Sequence, residues 1–106
     1  MNFEVYDDSA GKARWRLKSS NGQTVASSGE SFSSTANAKT GAQNFKSGAK
    51  SWNYEIYENT AGAYSWRAKS TNGQKVGTAG ESFASKTNAQ RAADNVRDNA
   101  GSASGP

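Results

Sequence analysis

The sequence predicts an α+β fold made of two tandem β-β-β-α repeats around one shared core, and three observations predict it. Aligning Asn2 with Asn53 needs no gap through Ala49 and Ala100, and 23 of the 48 paired residues are identical, which marks an internal duplication. Each copy then carries alternating apolar and basic residues followed by Asn-Gly, at Asn21-Gly22 and Asn72-Gly73, a strong short-range hairpin signal. Finally, the hydrophobic period changes from two to three-and-four in the last third of each copy.

The first strand is Asn2–Asp7, matched by Trp52–Glu58. Phe3 and Val5 alternate with Glu4 and Tyr6, and Tyr54 and Ile56 with Glu55 and Tyr57, as in a half-buried strand. A polar turn holding Ala10-Gly11 or Ala61-Gly62 follows. In the second strand Trp15 and Leu17 (Trp66 and Ala68) share one face, and Arg16 and Lys18 (Arg67 and Lys69) share the other. The phase makes Trp15 and Trp66 core anchors, and it sets Trp52 with Tyr54 and Ile56, where it would close the seam between the halves. Asn-Gly suits a two-residue primed turn, because both residues tolerate positive φ. It leads to a third strand through Val25 or Val76, which ends at Gly29-Glu30 or Gly80-Glu81.

Helical spacing follows. Ala38, Gly41/Ala42 and Phe45 fall on one stripe, as do Ala89, Ala92/Ala93 and Val96. Ser34 and Ser85 are the expected N-caps, and Gly48 stands where a left-handed C-cap would end the first helix. Thr40 and Gly41 weaken that helix intrinsically, so packing must hold it. The chain reads as a single domain over 1–100, with repeats 2–50 and 53–100, and the Gly/Ser-rich residues 101–106 are expected to form a disordered tail.

Composition bounds the function. Hydrophobic residues make up 33% of the 106, so neither half could bury enough surface alone. The chain has neither cysteine nor histidine. Disulfides, thiolate chemistry, imidazole triads and the commonest metal ligands are therefore unavailable, and no metal site or cofactor is expected. No apolar run resembles a signal peptide or spans a bilayer, so a soluble, cytoplasmic protein without membrane partners is expected. The net charge is +4. Residues 2–50 carry seven basic and four acidic side chains (+3), and residues 51–106 carry six and five (+1).

Phe-Glu-Val-Tyr at 3–6, Trp-Arg-Leu-Lys at 15–18, Asn-Gly-Gln at 21–23, Ser-Gly-Glu at 28–30 and the Ala-rich helix together resemble the YegP-like family of small proteins, over nearly the whole chain. The resemblance implies that both copies contribute to one continuous antiparallel sheet of about six strands, with both helices on one face. It also implies that a tandem chain forms internally the pair that single-copy members form as homodimers, so a monomer is expected. A strand after each helix, exchanged between the halves, is implied as well. Ser51–Glu58 can supply it after the first helix, whereas the Gly/Ser tail cannot after the second. The resemblance brings no established activity.

The candidate binding face comprises Glu4, Tyr6, Arg16 and Lys18 with Glu55, Tyr57, Arg67 and Lys69. Aromatic rings beside guanidinium groups can stack on a ligand and bind phosphate or carboxylate. The plainer alternative is a solvated face whose opposite charges pair across strands. The Ser-Gly-Glu-Ser-Phe loops before the helices could hold an anion at a helix N-terminus, but their glycines are too few for a phosphate loop. No spacing rule selects Glu30 or Glu81 as partners of Glu4 or Glu55 for hydrolysis. The expected function is thus a non-catalytic module that presents its polar face to a protein or peptide. The alternative is weak, salt-dependent nucleic-acid binding.

Overall fold

A computed structural model describes residues 1–106. In chain order it contains β1 (Asn2–Asp7), β2 (Ala13–Lys18), β3 (Thr24–Ser27), α1 (Thr35–Gly48), β4 (Asn53–Glu58), β5 (Tyr64–Lys69), β6 (Lys75–Ala79), α2 (Lys86–Asn99) and a 3₁₀ turn at Ala100–Ser102. The period-two residues form the strands, and their apolar phase is the buried one. Trp15, Leu17, Trp66 and Ala68 are each at most 1% exposed.

The six strands form one antiparallel sheet in the order β1-β2-β3-β6-β5-β4. The halves therefore meet edge to edge at β3 and β6, where Ala26 faces Ala79 and Ser27 faces Thr78. Each helix packs on two strands of its own repeat and crosses to the third strand of the other. The first lies on β1, β2 and β6, and the second on β4, β5 and β3. A single core joins them. Phe45 of α1 lies 4.9 Å from the Trp15 ring and 6.4 Å from Phe3, and it also covers Gly77 on β6. No helix is long and apolar enough to cross a membrane.

Ser34 and Ser85 cap their helices as expected, each accepting a hydrogen bond from the backbone N–H three residues on, at 3.1 Å. Three expectations need correction. The Asn-Gly turns are not two-residue primed turns, since only Gly22 and Gly73 have positive φ, both 84°. Gly22 N–H instead closes a four-residue turn on the Ser19 carbonyl, and Ser19 N–H then bonds to Gln23. Asn21 does not take a positive φ, and its side-chain oxygen is engaged within the turn by the Ser19 hydroxyl and Gln23 N–H. This longer loop leaves the irregularity seen after Leu17 and again after Ala68.

Gly48 does not end its helix with a left-handed residue. It is helical, and Ala49 follows in the right-handed region. The Trp52 ring presses on it, so that any Cβ there would run into the indole. Trp52 sits between the halves, against the end of α1 and beside the β5–β6 turn, away from the β3–β6 strand pair. It donates from Nε1 to the Phe45 carbonyl at 3.1 Å, while the Tyr54 hydroxyl donates to the Ala49 carbonyl at 2.7 Å. Both therefore satisfy carbonyls that the end of α1 leaves without helical partners. Burial also pushes the Tyr54 hydroxyl pKa up.

The tail is not free. After the 3₁₀ turn, Ala103 is buried and Ser104 makes a single parallel bridge to Asn2. Phe3 N–H donates to Ser104 at 2.9 Å, and Ser104 N–H donates to Met1 at 3.0 Å. Lys46 Nζ reaches the Gly105 carbonyl at 3.0 Å. A disordered tail would leave these edge groups of β1 unpaired, and their pairing fixes it. The bridge is one residue long, so no strand follows α2.

Candidate functional site on the outer sheet face

Every second residue of the strands points away from the helices, and the register brings the named face residues together. Glu4 stands directly opposite Arg16 on β2, and Glu55 stands opposite Arg67 on β5. In each copy the guanidinium Nε donates to the glutamate Oε1 at 2.9 Å. Lys18 Nζ lies 3.6 Å from the Glu4 carboxylate, and Lys69 Nζ lies 3.4 Å from that of Glu55. Tyr6 and Tyr57 sit on the diagonals, so that Arg16 lies over the Tyr6 ring at 4.4 Å and Arg67 over Tyr57 at 4.7 Å. Stacking of this kind holds a guanidinium flat and in place.

Each cluster therefore has one carboxylate shared by two cations, which leaves a net charge of +1. The arginine has spent Nε on the glutamate, and the two Nη groups at its far edge make no hydrogen bond within the protein. It stays partly open, with its side chain 34% exposed at Arg16 and 40% at Arg67. All eight named residues belong to these two clusters.

The sequence did not reveal what lies between them. Arg16 pairs with Ser27, Ser27 with Thr78, and Thr78 with Arg67. The outer face thus carries one unbroken row across all six strands: Glu4, Arg16, Ser27, Thr78, Arg67, Glu55. Two short hydroxyl side chains form the floor between the arginines, which stand three strand spacings apart, about 14 Å. Matching hydroxyls at 27 and 78 were a usable signal, but only the β3–β6 pairing shows that they adjoin. One further ion pair has no counterpart in the second copy. Arg14 donates to Asp8 at 2.7 Å, whereas Asn59 and Ser65 occupy the equivalent places. Glu30 and Glu81 remain exposed in their loops, away from the row.

The ion pairs hold the carboxylates charged. Glu4 ionises below its usual 4.5, chiefly because Arg16 hydrogen-bonds to it, with Lys18 assisting. Glu55 does the same through Arg67 and Lys69. A carboxylate whose folded pKa is depressed adds stability above its unfolded value and loses it as the pH falls through the folded value. The protein is therefore expected to lose stability as the pH drops below 4.5, and both groups are exposed enough to keep the effect small. Thermal unfolding followed from about pH 6 to 3 checks this. The variant carrying Glu4→Gln and Glu55→Gln should show a flatter profile.

Comparison with known proteins places these features in a family. The family model described as "Domain of unknown function (DUF1508)" matches twice, over residues 8–53 and 59–104. The second match reaches Ser104, the residue that docks the tail on β1. A UPF0339 protein from the ptx operon 5′ region of Stutzerimonas stutzeri is 32% identical over 98 residues, covering 92% of this chain and 87% of that protein. The solution structure of YegP from E. coli, itself described as of unknown function, superposes with a TM-score of 0.80 at 25% identity. That match covers 97% of this chain and 88% of YegP. A UPF0339 protein from Shewanella oneidensis shares the fold, with a TM-score of 0.77 at 19% identity over 94% and 84% of the two chains.

Proposed function

The chain belongs to the DUF1508 family, a family of unknown function, and carries two tandem copies of its domain; we propose that it is a non-catalytic interaction module whose outer sheet face binds an extended acidic peptide or protein segment. The observation that carries this reading is the row from Glu4 to Glu55. It sets two arginines, each oriented by a glutamate and a tyrosine, on either side of a low hydroxyl floor. The free Nη edge of each guanidinium suits bidentate pairing with a carboxylate. An extended chain advances about 3.4 Å per residue with alternate side chains on the same side. Carboxylates four residues apart therefore span the gap between Arg16 and Arg67.

A binding rather than a catalytic role is favoured by the glutamates. Each carboxylate is already engaged by an arginine and a lysine, which suits a charge-pairing surface better than acid–base work. One chain supplies both clusters, so the module works as a monomer in this reading.

The test is fluorescence anisotropy with a labelled peptide that bears two aspartates four residues apart in a Ser/Gly background. Arg16→Ala or Arg67→Ala should each weaken binding about tenfold, in line with the loss of one charge-assisted hydrogen-bonded contact. Unchanged affinity in both variants would remove the face from consideration. Duplex or single-stranded oligonucleotides that bind more tightly than the peptide, with a steep salt dependence, would shift the ligand class to nucleic acid.

A further inference from the structure

The two repeats enclose pseudosymmetric grooves on the helix side of the sheet, each between the end of a helix and the hairpin turn of the other repeat. Their contents differ. The groove beside α2 is about 340 Å³, and its asparagines and Ser102 are committed to one another. Asn99 donates to both the carbonyl and the side chain of Asn95, and Ser102 donates to the Asn99 carbonyl. Ala103 and Met1 fill the place that corresponds to Trp52.

The groove beside α1 is about 540 Å³ and is lined by Trp52 together with Asn44, Ser47, Thr71, Asn72 and Gln74. The Trp52 Nε1 is spent on Phe45, which fixes the ring in the groove wall. The side chains of Asn44, Ser47, Thr71 and Gln74 make no hydrogen bond within the protein, and no charged side chain lines the groove. The two grooves thus differ in their walls: only the one beside α1 has an anchored aromatic ring, set among amides and hydroxyls that make no bond within the protein.

We infer that this groove is a binding site for a neutral saccharide. Amides and hydroxyls that both donate and accept match the hydroxyl groups of a sugar ring. The negative face of an indole attracts the weakly positive C–H groups that a pyranose presents on its apolar side. The absence of any charge in the lining makes a cation or an anion a poor fit. The site lies on the opposite side of the sheet from the arginine row and is independent of it.

The experiment is an amide and indole NMR titration of the full chain with maltotriose, cellotriose and chitotriose in parallel. At least one is expected to bind with a dissociation constant of about 1 mM or tighter, shifting the Trp52 indole and the backbone of residues 70–76. The variant combining Asn44→Ala and Gln74→Ala alters exposed side chains only and should weaken that binding about tenfold while leaving the remaining spectrum dispersed. Three outcomes would overturn the inference: no shift with any of the sugars, shifts confined to the groove at Ser19 and Ser20, or unchanged affinity in the double variant.

Discussion

Replacing Phe45 by Ala is expected to cost about 3–5 kcal/mol, the usual range for removing a buried aromatic ring, and to unfold both repeats in one transition. Phe45 is 1% exposed. It belongs to the first repeat, where its ring meets Trp15 and Phe3, yet it also covers Gly77 of the second. Crosswise packing of this kind leaves neither half a core of its own. Urea unfolding followed separately by tryptophan fluorescence and far-ultraviolet circular dichroism checks the expectation. Coincident curves, shifted together to lower urea, are the predicted result. Separate transitions, with one half surviving, would show that the core is not shared.

Gly77→Ala should be destabilising by about 1–3 kcal/mol, although it adds a single methyl group, because the space for it is already filled. A Cβ at position 77 would lie 2.7 Å from Phe45 Cε1 and 3.3 Å from Trp15 Cη2. The other half of the molecule shows the compensating arrangement, since Val96 stands at the position equivalent to Phe45 and Ala26 at that equivalent to Gly77. Large over small in one half is exchanged for medium over medium in the other. Combining Gly77→Ala with Phe45→Val should therefore cost less than the sum of the single changes, with a coupling of about 0.5–3 kcal/mol in a double-mutant cycle. Additive effects would mean that the two positions do not meet.

Much of the architecture was legible because the duplication doubles every signal. The alternation around Trp15 and Trp66 fixed which strand face is buried, and the serines at 34 and 85 marked the helix starts. The misreadings came where tertiary contacts override a local rule. Gly48 has the chemistry of a helix C-cap, but the indole of Trp52, four residues on, is what requires its small size. Asn-Gly is compatible with several turns, and the one formed here has a single left-handed residue. The tail at Ala103–Ser104 is polar and glycine-flanked, and nothing local indicates that the unpaired edge of β1 will hold it. On the outer face, the cross-strand pairs of Glu4 with Arg16 and Glu55 with Arg67 follow from hairpin phase alone. The row joining them depends on β3 meeting β6, a long-range pairing that no local pattern encodes.

In the proposed role, one rigid sheet holds two arginine clusters at a fixed separation to meet an extended acidic chain. The most direct measurement is the affinity of a series of labelled peptides with two aspartates placed two, four or six residues apart at constant net charge. Binding is expected to be tightest at four, where the carboxylates match the distance of about 14 Å across three strand spacings, and the series to be flat once Arg16 is replaced by Ala. An affinity that follows net charge alone, indifferent to spacing in the unaltered protein, would contradict it.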